Sequence, residues 1–175
     1  KDYWVSTGPL LDFLQFLLFK INGINWGSYV LHSAIINSVF ACLLYYVFRK
    51  FNLNQKYSFL YSVSTGLIFY PQIGTPFVDH HSSLFSVLAM LYFILAINFK
   101  KNIYWTLIPV FLVLAFLSKQ TPAAYMAILL TVLIFYYIAI EKYYRKFITL
   151  SLYSTLLIIF VVLTFSLLKI EFSDF

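Results

Sequence analysis

Charge is scarce in this chain. Of 175 residues, 12 are Lys or Arg and 6 are Asp or Glu, so charged side chains make up 10% of the sequence. Cysteine is limited to Cys42, set inside an apolar run, which excludes an intrachain disulfide and makes this residue a small packing group. With 5 glycines in all, no glycine loop for a nucleotide is present. A Ser-His-Asp spacing and a paired-cysteine motif are also missing, which disfavours soluble-cofactor chemistry. Internal repeats and low-complexity linkers are absent as well.

What the chain has instead is apolar bulk: 62% hydrophobic residues, 22% aromatic residues and a mean hydropathy of +0.87. Several apolar runs approach the roughly 20 residues that carry a helix across a bilayer. They are continuous, where the strands of a transmembrane barrel would alternate apolar and polar residues. Helices satisfy their own backbone hydrogen bonds in lipid. The expected fold is therefore all-α, a polytopic transmembrane bundle of about six spanning helices plus an amino-terminal interfacial helix.

The interfacial helix is expected over Pro9 to Lys20, with proline at its start and Leu10, Phe13, Leu14, Leu17 and Leu18 at helical spacing. Its polar residues are Asp12, Gln15 and Lys20, and it is too short to span. Spans are expected at Ser28 to Phe48, Leu53 to Tyr70, Ser82 to Phe99, Ile103 to Ser118, Ala123 to Ile140 and Phe147 to Leu168. Pro71, Gly74 and Pro76 punctuate a real loop, Lys119 to Pro122 a much tighter one, and Pro109 should kink the fourth span or mark its start. Residues 1–27 then form the end of an outer loop with its interfacial helix, 28–168 the transmembrane domain and 169–175 the start of an outer segment. The chain begins at Lys1 with no signal peptide in view, and it reads as a fragment that lacks an earlier helix.

The net charge of +6 is not gathered into the stripe a nucleic acid would need. It is sorted by side. Arg49, Lys50, Lys56, Lys100, Lys101, Lys142, Arg145 and Lys146 fall on one side of the six spans, and Lys1, Lys20, Lys119 and Lys169 on the other, together with Asp2, Asp12, Asp79, Glu171 and Asp174. The positive-inside rule makes the first side cytoplasmic. Asp79, His80, His81 and Lys119 accordingly face the periplasm or lumen. Tyr45, Tyr46, Tyr136, Tyr137, Tyr143 and Tyr144 cluster near the cytoplasmic ends as an aromatic belt.

Chemistry is expected at Phe77-Val78-Asp79-His80-His81-Ser82-Ser83, a polar break between long apolar runs. Three readings fit it. Asp79 can cap a helix beginning near Ser82. A zinc site is incomplete, since adjacent histidines point in different directions and further ligands would have to come from elsewhere. An anion site is the third, with the imidazoles and the helix amino terminus facing a phosphate while Asp79 orients one ring. Lys119 could join that pocket or act only as a snorkelling anchor. Inside the spans, His32 and Asn37 should hydrogen-bond to neighbouring helices, with Ser33, Ser38 and Ala41 as a small-residue packing face.

Taken together, Asp2 and Trp4 followed by Gly8-Pro9-Leu10, Arg49-Lys50 closing a span, Asp79-His80-His81-Ser82, and Phe116-Leu117-Ser118-Lys119-Gln120-Thr121-Pro122 form a pattern. It resembles the GT-C membrane glycosyltransferases, especially the branch of protein O-mannosyltransferases and bacterial aminoarabinose transferases. In those proteins an acid precedes a Pro-Pro-Leu or Gly-Pro-Leu element in the first outer loop. Asp2 matches that acid, and Gly8, Pro9 and Leu10 match the element, with Gly8 where many relatives have a first proline. The resemblance implies transfer of a sugar from a polyprenyl-phosphate donor to a glycan, lipid or protein acceptor on the outer face of the membrane, a bacterial plasma membrane. Asp2 is the implied base or acceptor-orienting group and Asp79 the second catalytic-site carboxylate, holding a histidine, with His80, His81 and Lys119 at the donor phosphate. No metal or cofactor is implied. A transporter or lipid flippase, and a structural subunit of a membrane complex, are the competing classes. Transporters set their polar groups near the midplane, often in repeated halves.

Overall fold

The computed structural model describes residues 8–71, 74–142, 149–150, 153–154 and 156–160. Among them the regular structure is helical: α1 (Pro9–Asn22), α2 (Trp26–Lys50), α3 (Gln55–Ile68), α4 (Val78–Phe99), α5 (Asn102–Ser118) and α6 (Gln120–Glu141). Residues described beyond 148 are also helical.

Local chemistry sets the boundaries. Pro9 opens α1, where its missing N–H costs nothing. Gly23, at φ 78°, ends it in a conformation that side chains rarely adopt. Asn25 then caps α2 by accepting from the Ser28 N–H at 3.0 Å, while the Ser28 hydroxyl donates back to the Gly23 carbonyl at 2.7 Å. Asn54 caps α3 by accepting from the Lys56 N–H at 2.9 Å. The left-handed residues Lys100 (φ 52°) and Lys142 (φ 56°) terminate α4 and α6. Only Lys119, in extended conformation, separates α5 from α6, and α5 runs through Pro109.

α4 is the central helix, packed on α2, α5 and α6. Leu84, Leu88, Ala89, Leu95 and Ala96 are buried along it against Ile108 of α5 and Leu130 of α6. α2 and α3 pair closely, because a Cβ on Gly66 would stand only 3.1 Å from the Ala41 Cβ. The expected small-residue face of α2 is in use there. Elsewhere the outside is apolar, with Ile128, Leu129, Val132 and Phe135 of α6 exposed, as a surface facing lipid or further membrane helices would be.

Three helices, α2, α4 and α6, are long and apolar enough to cross a membrane. The expected count of about six is not confirmed among the described residues. α3 has 14 residues and α5 has 17, and at about 1.5 Å per residue both fall short of the ~30 Å hydrocarbon thickness. The sixth expected span, Phe147 to Leu168, lies largely outside the described residues, as do Tyr143 and Tyr144. The alternation of helix directions holds. Tyr46 of α2 meets Tyr104 of α5, hydroxyl to hydroxyl at 2.9 Å, and Lys100 pairs with Glu141 at 3.8 Å, both at one end of the bundle. The starts of α2, α4 and α6 gather at the other end.

α1 lies on α2 and α5 with its apolar face outward. Gln15 is buried beneath it, while Phe13, Phe16, Leu17 and Ile21 are exposed. This outward apolar face suits a helix lying at the membrane boundary, with its polar group turned toward the protein.

Candidate functional site

The polar end of the bundle is built by three segments far apart in sequence. α4 begins at Val78 with Phe77 in extended conformation before it, four residues earlier than the expected start at Ser82. Asp79, His80 and His81 therefore occupy the first turn of the helix. Asp79 is not a cap, since no side chain caps α4. It does not hold a histidine either. Its carboxylate pairs with the Lys119 ammonium at 2.6 Å, the two side chains being 57% and 31% exposed. Their attraction is screened by solvent and contributes about 0–1 kcal/mol to stability, so the pair matters for placing a cation. The Lys119 backbone is tied to the same turn, because the Ser82 hydroxyl donates to its carbonyl at 3.0 Å.

The Gly8-Pro9-Leu10 element packs on the same junction. Gly8 is buried, and a Cβ built on it would overlap the Ser118 carbonyl oxygen and stand 2.6 Å from the Ser118 carbonyl carbon and 2.8 Å from the Leu117 oxygen. Its φ of 172° is ordinary extended backbone, so the requirement is for space. Here lies the physical reason for glycine at this position. Any Cβ would push the start of α1 off the end of α5.

The two adjacent histidines diverge, as expected for neighbours on a helix. His81 is fully buried, and both its nitrogens are engaged, Nδ1 with the Phe77 carbonyl at 2.9 Å and Nε2 with Nε2 of His32 at 3.2 Å. His32 in turn meets Gln15 Oε1 through Nδ1 at 2.8 Å. The expectation that His81 faces a phosphate is corrected accordingly, because the ring is turned into the bundle and spoken for. His80 leans edge-on against His81 at 5.5 Å between centroids. Neither of its buried ring nitrogens makes a well-aligned hydrogen bond to a described residue, although the Phe69 backbone is nearby. Of the two, His80 is the imidazole whose ring nitrogens are not both engaged.

Asp2 lies outside the described residues. Asp12, in the first turn of α1, has its carboxyl raised above the usual range by desolvation. Asn37 donates to the Ser33 carbonyl of its own helix at 2.9 Å, and its Oδ1 has no partner among the described residues. The expected bond to a neighbouring helix is not formed there, whereas His32 does bridge α1 and α4. Among the described residues, no three His, Cys, Asp or Glu side chains are grouped to hold a metal ion.

The burial of Gln15 is not signalled by the sequence, in which Gln15 reads only as one of three polar residues of an interfacial helix. Gln15 and His32 are 17 residues apart, and His32 and His81 are 49 apart, so no local pattern marks the connection.

Long apolar helices, with the Asp79–Lys119 pair gathered at one end of the bundle, define an integral membrane protein. The family model described as dolichyl-phosphate-mannose-protein mannosyltransferase matches residues 6–168. The chain belongs to this family of GT-C type membrane glycosyltransferases. No curated protein and no solved structure matches it.

Proposed function

We propose that this chain forms part of a glycosyltransferase that moves a sugar from a polyprenyl-phosphate donor to an acceptor on the periplasmic or lumenal face. The observation that carries the proposal is the convergence of Gly8-Pro9, the first turn of α4 and Lys119 at one end of the bundle, through the buried Gly8 seat and the 2.6 Å Asp79–Lys119 pair. That end is opposite the one holding Arg49, Lys50, Lys100 and Lys101, so the positive-inside rule puts it outside. A transporter would be expected to hold its polar groups near mid-membrane, not at helix ends.

In the transfer, an acceptor hydroxyl attacks the sugar carbon bonded to the donor phosphate, the carbon–oxygen bond to phosphate breaks, and the acceptor proton passes to a base. The leaving polyprenyl phosphate gains negative charge. Lys119 meets that charge, and His80 adds a ring donor. A cation positioned before the reaction stabilises developing charge without reorganisation at the moment of bond breaking. Asp79 holds the ammonium at the α5–α6 junction until phosphate competes for it. Asp2, upstream of the Gly8-Pro9-Leu10 element, is the assigned general base. The isoprenoid tail of the donor lies among apolar helix faces, with its phosphate at the interface.

The test is incubation of the intact protein in membranes with radiolabelled polyprenyl-phosphate sugars, following label into protein, lipid and glycan fractions. Label transferred by the wild type and lost in an Asp2→Asn variant that still inserts supports the assignment. No transfer from any donor, by protein shown to be inserted, refutes it.

A further inference from the structure

A backbone carbonyl can only accept a hydrogen bond, so the 2.9 Å contact of His81 Nδ1 with the Phe77 oxygen requires the proton on that nitrogen. The 3.2 Å contact between the two Nε2 atoms needs one proton, because two facing lone pairs would repel. At the far side, His32 Nδ1 faces Gln15 Oε1 at 2.8 Å, which again needs an N–H on the histidine. Three contacts thus use three ring protons, one more than two neutral imidazoles carry. A half-turn of the Gln15 amide reverses its side, since the NH₂ group then donates to His32 Nδ1 and the pair is neutral. Gln15 Nε2 has no partner among the described residues, so this turn breaks no other described bond. The orientation of the Gln15 amide and the charge of the histidine pair are linked one for one.

We infer that Gln15, His32 and His81 form a directional relay, anchored at the Phe77 carbonyl, which makes Gln15 and His32 positioning residues for the transfer proposed above. The relay joins α1, which carries the Gly8-Pro9 seat, to α2 and to the first turn of α4. By fixing the His81 ring, it fixes the wall on which His80 leans. Among the described residues, the charged groups and further imidazole at this end include Asp12 and Lys20 on α1, Asp79 and His80 on α4, and Lys119. Asp79 and Lys119 satisfy each other, and His80 leans on His81. The role in transfer rests on the proposed function; the direction of the relay does not.

Two measurements on the intact protein in lipid nanodiscs test it. Ring ¹⁵N shifts, assigned with His32→Asn and His81→Asn variants, are expected to show the proton of His81 on Nδ1, and Gln15→Glu is expected to add a proton to the pair at neutral pH. A lone pair at His81 Nδ1 in the wild type would by itself overturn the relay. Turnover then separates positioning from filling space. Gln15→Leu keeps the volume but neither donates nor accepts, and should lower kcat by roughly 10–100-fold with the donor KM nearly unchanged, since misplacement by about 1 Å can cost 10²-fold. Gln15→Glu still hydrogen-bonds His32, as an acceptor that the added ring proton matches, and should recover most of the rate. A side chain that only fills space predicts the reverse order, Leu active and Glu inactive, and that order would refute positioning. A wild type without transfer but with the expected shifts would refute the transferase reading and leave the relay standing.

Discussion

Gly8→Ala adds one methyl group where there is no room for it. The added Cβ would stand 2.6 Å from the Ser118 carbonyl carbon and 2.8 Å from the Leu117 oxygen, against an ordinary van der Waals approach of 3.4–4 Å. Both neighbours are backbone atoms at the end of α5 and cannot swing aside as a flexible side chain would. Alanine accepts the backbone conformation, with φ at 172°, so strain at residue 8 itself contributes nothing. The start of α1 must therefore separate from Leu117 and Ser118 by about 1 Å, a displacement that can lower a reaction by about 10²-fold when it misplaces reacting groups. Overpacking of this kind also costs roughly 1–3 kcal/mol of stability. The assay is single-turnover sugar transfer in nanodiscs at saturating donor, with thermal unfolding measured in parallel. A Gly8→Ala protein with unchanged transfer and unchanged melting would show that Gly8 does not seat α1 against the α5–α6 junction.

Other substitutions separate roles at the same end. Lys119→Gln should lower kcat by about 10²–10³-fold, as loss of one group stabilising developing charge does, whereas Asp79→Asn, which only unties that cation, should cost less in rate and under ~1 kcal/mol in stability; equal and negligible effects of both in a transfer assay would remove them from the site. Asp12 has its carboxyl raised above 3.8 by burial, so the native state keeps a proton that the unfolded chain has released, and stability falls as pH rises from 3.8 through the raised value. Asp12→Asn should accordingly melt higher than wild type at neutral pH and like wild type in strong acid, a difference that thermal scans at the two pH values would show or deny. Gly66→Val should cost roughly 1–3 kcal/mol by overpacking, because a Cβ there already stands 3.1 Å from the Ala41 Cβ, and unaltered unfolding would contradict the close α2–α3 packing.

Much of this architecture is legible in the sequence because it is local. Continuous apolar runs mark α2, α4 and α6, Pro9 marks the start of α1, and scarce charge makes the Asp79-His80-His81 cluster and Lys119 conspicuous. Helix α4 starts earlier than its apolar run because its first turn accepts Asp79 and two histidines, residues whose polarity reads as loop. α3 is shorter than its apolar run because Asn54 caps it late and it ends at Ile68. The Gln15–His32–His81 connection and the seat for Gly8 are invisible in sequence for a different reason: they depend on how α1 lies across α2 and α5. The apolar residues of α1 give its period and its place at the interface, but not which neighbour its buried Gln15 meets.

Whether Lys119 and His80 meet the phosphate of a lipid-linked sugar at the outer end of the bundle is tested most directly by transfer from a radiolabelled polyprenyl-phosphate sugar. Wild type is compared with Lys119→Gln and His80→Gln proteins inserted in membranes to equal levels. The expected result is label transfer by the wild type and its near loss in Lys119→Gln, with a smaller loss in His80→Gln. Transfer at the wild-type rate by both variants would contradict that placement of the phosphate.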